Sequence, residues 1–359
     1  MTSWAGCPQG GPGGPEGDAG GPQTAGRDGF EYAFFVARIR VLETRLLTRN
    51  HLLRMVDAPD AETAFRMLGE TEYGPAVAAA GTAADYEIAL AAELGRVFGI
   101  IRAASPEPEL PELLGVAYDW QNLKTALKAS LTGRPIDGRF LIAAGNLDRA
   151  LFFAVASGAD GSLPSPYRET AARARAVYAA SHDPQQVDVV VDGARFAAII
   201  EIARSTGFEL IGTLAAASAD LINLRTVMRI RLLRASPDLL RQALLPGGTI
   251  PAARVASMVT GELDEIAGAA SSLPYREVVS GGVNGFRQSG SLALLEKLID
   301  DYLMGLVRDA RYVALGPEPV IAYLMAKEAE IKNLRIIFTG KLNRLPEGTI
   351  RERLRETYA

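Results

Sequence analysis

From Tyr32 onward, apolar and charged positions alternate with the period of an α-helix. Phe35, Ile39, Leu42 and Leu46 fall on one stripe, while Arg38, Glu43 and Arg45 fall on the other. The same spacing predicts a helix after Pro59, with Ala64, Met67 and Leu68 inward, and another over 86–101 that Pro106, Pro108 and Pro111 close. Further helices are predicted over 115–131 and 167–180, and through Phe196 and Ile200 after Asp183-Pro184. The last ones cover 294–306 and 318–342, with a short final one over 350–357. Gly281-Gly282 and Gly285 read as a joint. Val187–Val191 alternates like a strand, but Asp188 and Asp192 make it look more like a helix start. The pattern predicts an all-α chain.

One motif recurs three times at intervals of about a hundred residues: an acid, two spacers, then Asn-Leu-basic. The copies are Asp119–Asn122–Leu123–Lys124, Asp220–Asn223–Leu224–Arg225 and Glu330–Asn333–Leu334–Arg335. Apolar residues stand three before each Leu and three, four and eight after it. They are Trp120, Ala126, Leu127 and Leu131; then Leu221, Val227, Met228 and Leu232; then Ile331, Ile337, Phe338 and Leu342. Those offsets lie on one helical stripe, and a proline (Pro135, Pro237, Pro346) follows each copy. Each copy therefore reads as a core-facing helix. Asn is a mild misfit in a helix because its amide competes for backbone hydrogen bonds. Its threefold recurrence predicts one repeated tertiary niche, with the acid three residues earlier placed to accept from the amide. The divisions that follow are a Gly/Pro-rich tail over 1–28 and helical units over 29–138, 139–237 and 238–359. The middle unit is expected to begin near Phe140.

Composition narrows the function. A chain of 359 residues exceeds one simple core. A net charge of −4 exerts no general pull toward nucleic acid, and 48% hydrophobic residues suit a packed globular protein. The tail, with Gly10-Gly11-Pro12-Gly13-Gly14-Pro15, holds too little apolar surface to offset its ordering entropy; Trp4 and Cys7 lie within it. No apolar run reaches the roughly 18–20 residues of a membrane span, and no basic start with an apolar stretch marks a signal peptide. Cys7 is the only cysteine, and His51 and His182 stand far apart without patterned ligands, so no metal site is expected. Gly340-Lys341 is followed by Leu342, and Arg335 stands five before Gly340, so a phosphate-binding loop fails. There is no Gly-x-Ser-x-Gly elbow. Neither Glu328/Glu330 nor Asp300/Asp301 has i, i+4 spacing, and both read as solvated helix faces. The basic run Arg225, Arg229, Arg231, Arg234 and Arg241 lacks interleaved aromatics for base stacking, so it reads as an exposed face or a contact for an acidic protein partner. No catalytic, cofactor-binding or metal residue is expected.

At these same residues the chain resembles the C subunits of the bacterial and archaeal V-type (A-type) rotary ATPases, a family related to the d subunit of the eukaryotic vacuolar enzyme. The clearest match is Lys327-Glu328-Ala329-Glu330-Ile331-Lys332-Asn333-Leu334-Arg335-Ile336-Ile337, continuing through Gly340-Lys341. Tyr118-Asp119-Trp120-Gln121-Asn122-Leu123-Lys124 fits the first-unit motif, and Asp183-Pro184-Gln185 with Val187, Asp188 and Asp192 fits the middle segment. The opening run from Tyr32 to Gly74 is also similar, with Ala37-Arg38-Ile39-Arg40 and Glu70-Thr71-Glu72-Tyr73-Gly74. The resemblance spans residues 30 to 359, and the long tail departs from it. It implies three similar helical domains in a pseudo-threefold funnel, placed on the cytoplasmic face of the cell membrane. It implies no cofactor, a central shaft docked in the cavity, and a proteolipid ring as the other partner, so that the chain transmits torque between ATP chemistry and ion translocation. A helical-repeat scaffold with other protein partners is the alternative, and would purify without ATPase subunits. An all-α enzyme would instead show a deep pocket with convergent carboxylates.

Overall fold

The computed structural model describes residues 29–138, 141–234 and 237–358, and every regular element among them is helical. The tail, with Trp4 and Cys7, and the expected start of the middle unit at Phe140 lie outside the described residues. The chain runs α1 (Gly29–Glu43), α2 (Arg49–Asp57), α3 (Ala61–Gly69), α4 (Gly74–Ala80) and α5 (Tyr86–Ala104). Next come α6 (Glu109–Thr132), α7 (Arg149–Ala156), α8 (Tyr167–Ser181) and α9 (Pro184–Thr206). They are followed by α10 (Glu209–Leu233), α11 (Pro237–Ala243), α12 (Ala252–Ser257), α13 (Leu263–Ala269), α14 (Arg276–Ser289) and α15 (Ala293–Arg308). The C-terminal elements are α16 (Glu318–Leu342) and α17 (Glu347–Arg353).

Local chemistry explains the boundaries. Thr48 caps α2 in a reciprocal box with His51, Asp60 caps α3, Asp148 caps α7, and Asp183 caps α9 just before Pro184. Val187–Val191 is thus the second turn of a helix, and both histidines act in helix termini: His182 closes α8 in the left-handed region at φ 52°. Pro111 does not close the preceding helix. It sits buried in the first turn of α6, where the missing N–H has no helical acceptor in any case. Gly281, Gly282 and Gly285 are not a joint either, because α14 runs through them unbroken. A Cβ on Gly282 would lie 2.4 Å from the Leu295 side chain, and one on Gly285 would lie 2.6 Å from Leu294. The glycines let α15 approach α14 closely. The final helix starts and ends earlier than the 350–357 reading, because residues beyond Leu354 are held extended by side-chain bonds described below.

The three repeat helices each pack on helices from more than one stretch of the sequence. Helix α6, assigned to the first unit, packs on α7, α8 and α9, and Trp120, Leu123 and Leu127 share a core with Phe152, Tyr167 and Val191. Helix α10, assigned to the second, packs on α9 as well as on α11, α12 and α15, and Leu224 and Met228 share a core with Val255, Val279 and Leu295. Helix α16 packs on α2, α3 and α5 from the other end of the sequence, and Leu334 and Phe338 join the core of Leu52, Phe65, Leu94 and Phe98. Helices α6 and α10 thus pack on helices that follow them, and α16 on helices near the start of the described chain. The third group is assembled from both ends of the described chain. A stripe of apolar residues does not by itself say which neighbour covers it.

Candidate functional site

The motif residues form a clasp at the same place in each group. Leu123, Leu224 and Leu334 are buried in the three cores. The Asn side chains do not bond the preceding acid; each pairs with both backbone groups of one residue further along. Asn122 Nδ2 donates to the Ile142 carbonyl at 2.9 Å, and its Oδ1 accepts the Ile142 N–H at 2.7 Å. Asn223 does the same with Leu245 at 3.0 and 2.8 Å, and Asn333 with Arg355 at 3.3 and 2.8 Å. An amide matches a peptide group donor for acceptor, which is why this helix-disfavoured residue is used. The acids bind elsewhere. Asp119 accepts the N–H groups of Asn146 and Leu147 at 3.0 Å each, and Asp220 those of Thr249 at 2.7 Å and Ile250 at 3.0 Å. Glu330 accepts the Leu47 N–H at 2.5 Å. Leu147, Ile250 and Leu47 each directly precede the N-cap residue of a helix: α7, α12 and α2. Lys124 then pairs with Asp192 on α9 at 2.7 Å, Arg225 approaches Glu296 on α15 at 3.9 Å, and Arg335 pairs with Glu87 on α5 at 2.8 Å. The four residue types thus seat a core, pin a loop or the C-terminal segment, aim the start of a second helix and tie a third helix.

The eighth position after the motif Leu is less buried than the pattern predicts. Leu131 is half-buried, while Leu232 and Leu342 are exposed, because each helix has run past its group by that turn.

The third copy carries extra charge. Glu330 is not on a solvated face: it is buried and also accepts from Tyr73 Oη at 2.7 Å and Lys327 Nζ at 2.6 Å. Lys327 is buried with it and lies 3.3 Å from the equally buried Glu93, which Arg96 meets at 2.7 Å. Burial first, and then the Glu330 charge, pushes the Tyr73 phenol well above its usual pKa, so it stays a donor. Asp119 is raised mainly by burial, against the pull of its two N–H donors. Asp300 and Asp301 are half-buried and fasten the C-terminal segment: Asp300 takes Lys332 at 2.6 Å and Arg355 at 2.8 Å, and Asp301 accepts the Glu356 N–H at 2.7 Å.

A cavity of about 860 Å³ lies between the groups, lined from α9, α10, α15 and α16 together with Lys124 of α6 and the Arg355-Glu356 segment. Its wall is apolar where Phe196, Ile199, Leu214, Ile222, Leu303 and Met304 face it, and charged elsewhere. Arg225 and Arg229 of the basic run line it and share Glu296, while Arg231 turns away to bond the Met258 and Gly261 carbonyls. Glu328 faces the cavity, where it accepts from Tyr118 Oη. Though solvent reaches it, the surrounding protein desolvates its carboxyl and raises its pKa. Glu328 is solvent-exposed, as its reading as a solvated face expects, and Lys327 entered the sequence reading only within the resemblance; Arg195 escaped it, yet a signal exists. Arg195 follows Val191 by four residues and Val187 by eight, so it is a charge on a buried stripe. Among the described residues no group of His, Cys, Asp and Glu could hold a metal ion, and no helix is long and apolar enough to cross a membrane.

The comparisons with known proteins accord with this picture. The sequence model for the ATP synthase (C/AC39) subunit matches residues 35–353. The chain is 26% identical over 328 residues to the C subunit of the V-type sodium ATPase of Enterococcus hirae, covering 91% of this chain and 99% of that one. It is 26% identical over 332 residues to the C subunit of the V-type ATP synthase of Thermus thermophilus, covering 90% and 98%. The C subunit of the A-type ATP synthase of Pyrococcus abyssi is 22% identical over 338 residues, covering 90% and 89%.

Proposed function

Because this chain belongs to the ATP synthase (C/AC39) subunit family, we propose that it is the non-catalytic adaptor of a rotary ATPase's central stalk. Its three helical groups stand pseudo-threefold around the cavity as a funnel. The shaft seats in the cavity, the outer end meets the membrane proteolipid ring, and the chain sits peripherally on the cytoplasmic face. The observation that carries this reading is the cavity itself, lined by helices from all three groups. Its volume would hold about two turns of a helix roughly 10 Å across. The clasps add a mechanical reason: each fastens its helix to a non-helical segment and to two further helices, and close-packed helices resist deformation. A torque joint needs stiffness and two broad contact surfaces, not a reaction site.

The test measures two activities in membranes stripped of this protein and then resupplied with it. The expected result is that the detached head still hydrolyses ATP, that ATP-driven ion pumping is lost, and that pumping returns on resupply. Normal pumping without the protein overturns the adaptor reading.

A further inference from the structure

The charges lining the cavity do not balance locally. Asp192 is matched by Lys124, Asp188 by Lys128 at 3.0 Å, Asp300 by Lys332 and Arg355, and Glu356 by Arg308 at 3.0 Å. Two cations are left short of partners. Arg195 Nε is buried without a hydrogen-bond acceptor. Arg225 has only the 3.9 Å approach to Glu296, an acid that Arg229 already binds at 2.9 Å. The Glu328 carboxyl, which accepts from Tyr118, and the Phe196 ring at 6.0 Å lie near the Arg195 guanidinium, but neither forms an ion pair or hydrogen bond with its Nε. A buried guanidinium N–H without an acceptor is costly, and the planar fork fits a carboxylate in two-pronged contact.

Resting on the adaptor reading above, we infer that the shaft tip seated here is an apolar helical segment carrying an Asp or Glu whose carboxylate is held by Arg195 and Arg225. The apolar part of that tip covers Phe196, Ile199, Leu214 and Met304. Most of the wall is helix flank, whose backbone N–H groups are committed within the helices, and the N–H groups of the lining residues Leu245, Arg355 and Glu356 are taken by Asn223, Asn333 and Asp301. They offer no cradle of free amides such as a phosphate takes, so the chemistry favours a protein carboxylate over a nucleotide. The two arginines come from different helices, α9 and α10, so the carboxylate fixes the rotational setting of the tip as well as its depth.

The experiment binds the full-length protein to the head–shaft complex purified without it. It compares wild type with Arg195→Gln, Arg225→Gln, the double variant, and a control, Arg276→Gln, on an exposed surface pair. Each cavity substitution is expected to weaken binding about tenfold or more and to flatten its salt dependence, with the control unchanged. Helicity and melting temperature monitor folding. Arg195→Gln carries the test on its own if Arg225→Gln is unstable, since its Nε has no partner to lose. If wild type binds and Arg195→Gln binds equally well, the carboxylate clamp is wrong while the adaptor reading stands. If wild type does not bind the complex at all, the adaptor reading falls and this inference with it. Titration with inorganic phosphate or ATP supplies a third arm: binding that depends on Arg195 would make this a small-anion site and overturn the inference.

Discussion

At the scale of single residues, the Asn of each motif replaces a missing peptide partner. Removing it leaves a backbone N–H and a carbonyl unpaired under a buried helix. Asn122→Ala, Asn223→Ala and Asn333→Ala should each cost about 2–4 kcal/mol, from about 1–2 kcal/mol per stranded group. Asn223 should cost the most, since both of its bonds are buried, and Asn333 the least, since its donor bond is 3.3 Å. Urea unfolding followed by circular dichroism checks the order. Titration gives a second test at Glu328, whose carboxyl is raised above its ordinary 4.5, chiefly because the surrounding protein desolvates it. A carboxyl raised by folding holds its proton more tightly in the native state. It therefore favours folding most at pH below 4.5, and that advantage is lost as pH rises through the raised value. Glu328→Gln removes this dependence while keeping an acceptor for Tyr118. The variant should melt higher than wild type at pH 8, and the gap should close or reverse by pH 4.

At the scale of elements, spacing decides more than propensity. Gly99 lies exposed in α5 and a Cβ there would meet nothing within 4 Å, so Gly99→Ala should stabilise by about 0.5–1 kcal/mol through helix propensity. The same change at Gly282 puts a methyl 2.4 Å from the Leu295 side chain and should destabilise by about 1–3 kcal/mol despite the same propensity gain. Thermal melts of the two variants, run in parallel, should shift in opposite directions. The helices themselves were legible from the chain: 318–342 and the stretches around Phe196 and Tyr167 follow from apolar period and capping residues alone. The Gly281–Gly285 joint and the closing role of Pro111 were misread for a common reason. Glycine and proline mark breaks only when nothing else uses their shape, and here a neighbouring helix and a helix's first turn do.

At the scale of the molecule, the last repeat helix and the first helices make one group. Glu330 receives Leu47 and Tyr73 from the N-terminal side, and Lys327 lies beside Glu93 of α5. If the chain is broken between Pro106 and Glu107 and expressed as two pieces, the pieces should co-purify as one folded species, because α16 supplies the core of α2–α5. Gel filtration showing two separately folded, non-associating fragments would refute this. Leu123→Asp, Leu224→Asp and Leu334→Asp each bury an unpaired charge and should each cost several kcal/mol, about 4 or more, in denaturant titration. One silent variant would break the equivalence of the three groups.

The chain by itself determined the helical class, the places of the three motif helices and the membership those residues share with their relatives, because period and motif are properties of adjacent residues. Only the tertiary structure decided what each motif residue touches and which helices belong together. Asn122 and Ile142 are twenty residues apart, and Leu47 and Glu330 are nearly three hundred apart. The same holds for Arg195, whose missing partner, like the cavity it faces, exists only after helices from all three groups have met. A polar group announces its need for a partner in sequence, but which partner satisfies it depends on distances that the folded chain alone sets.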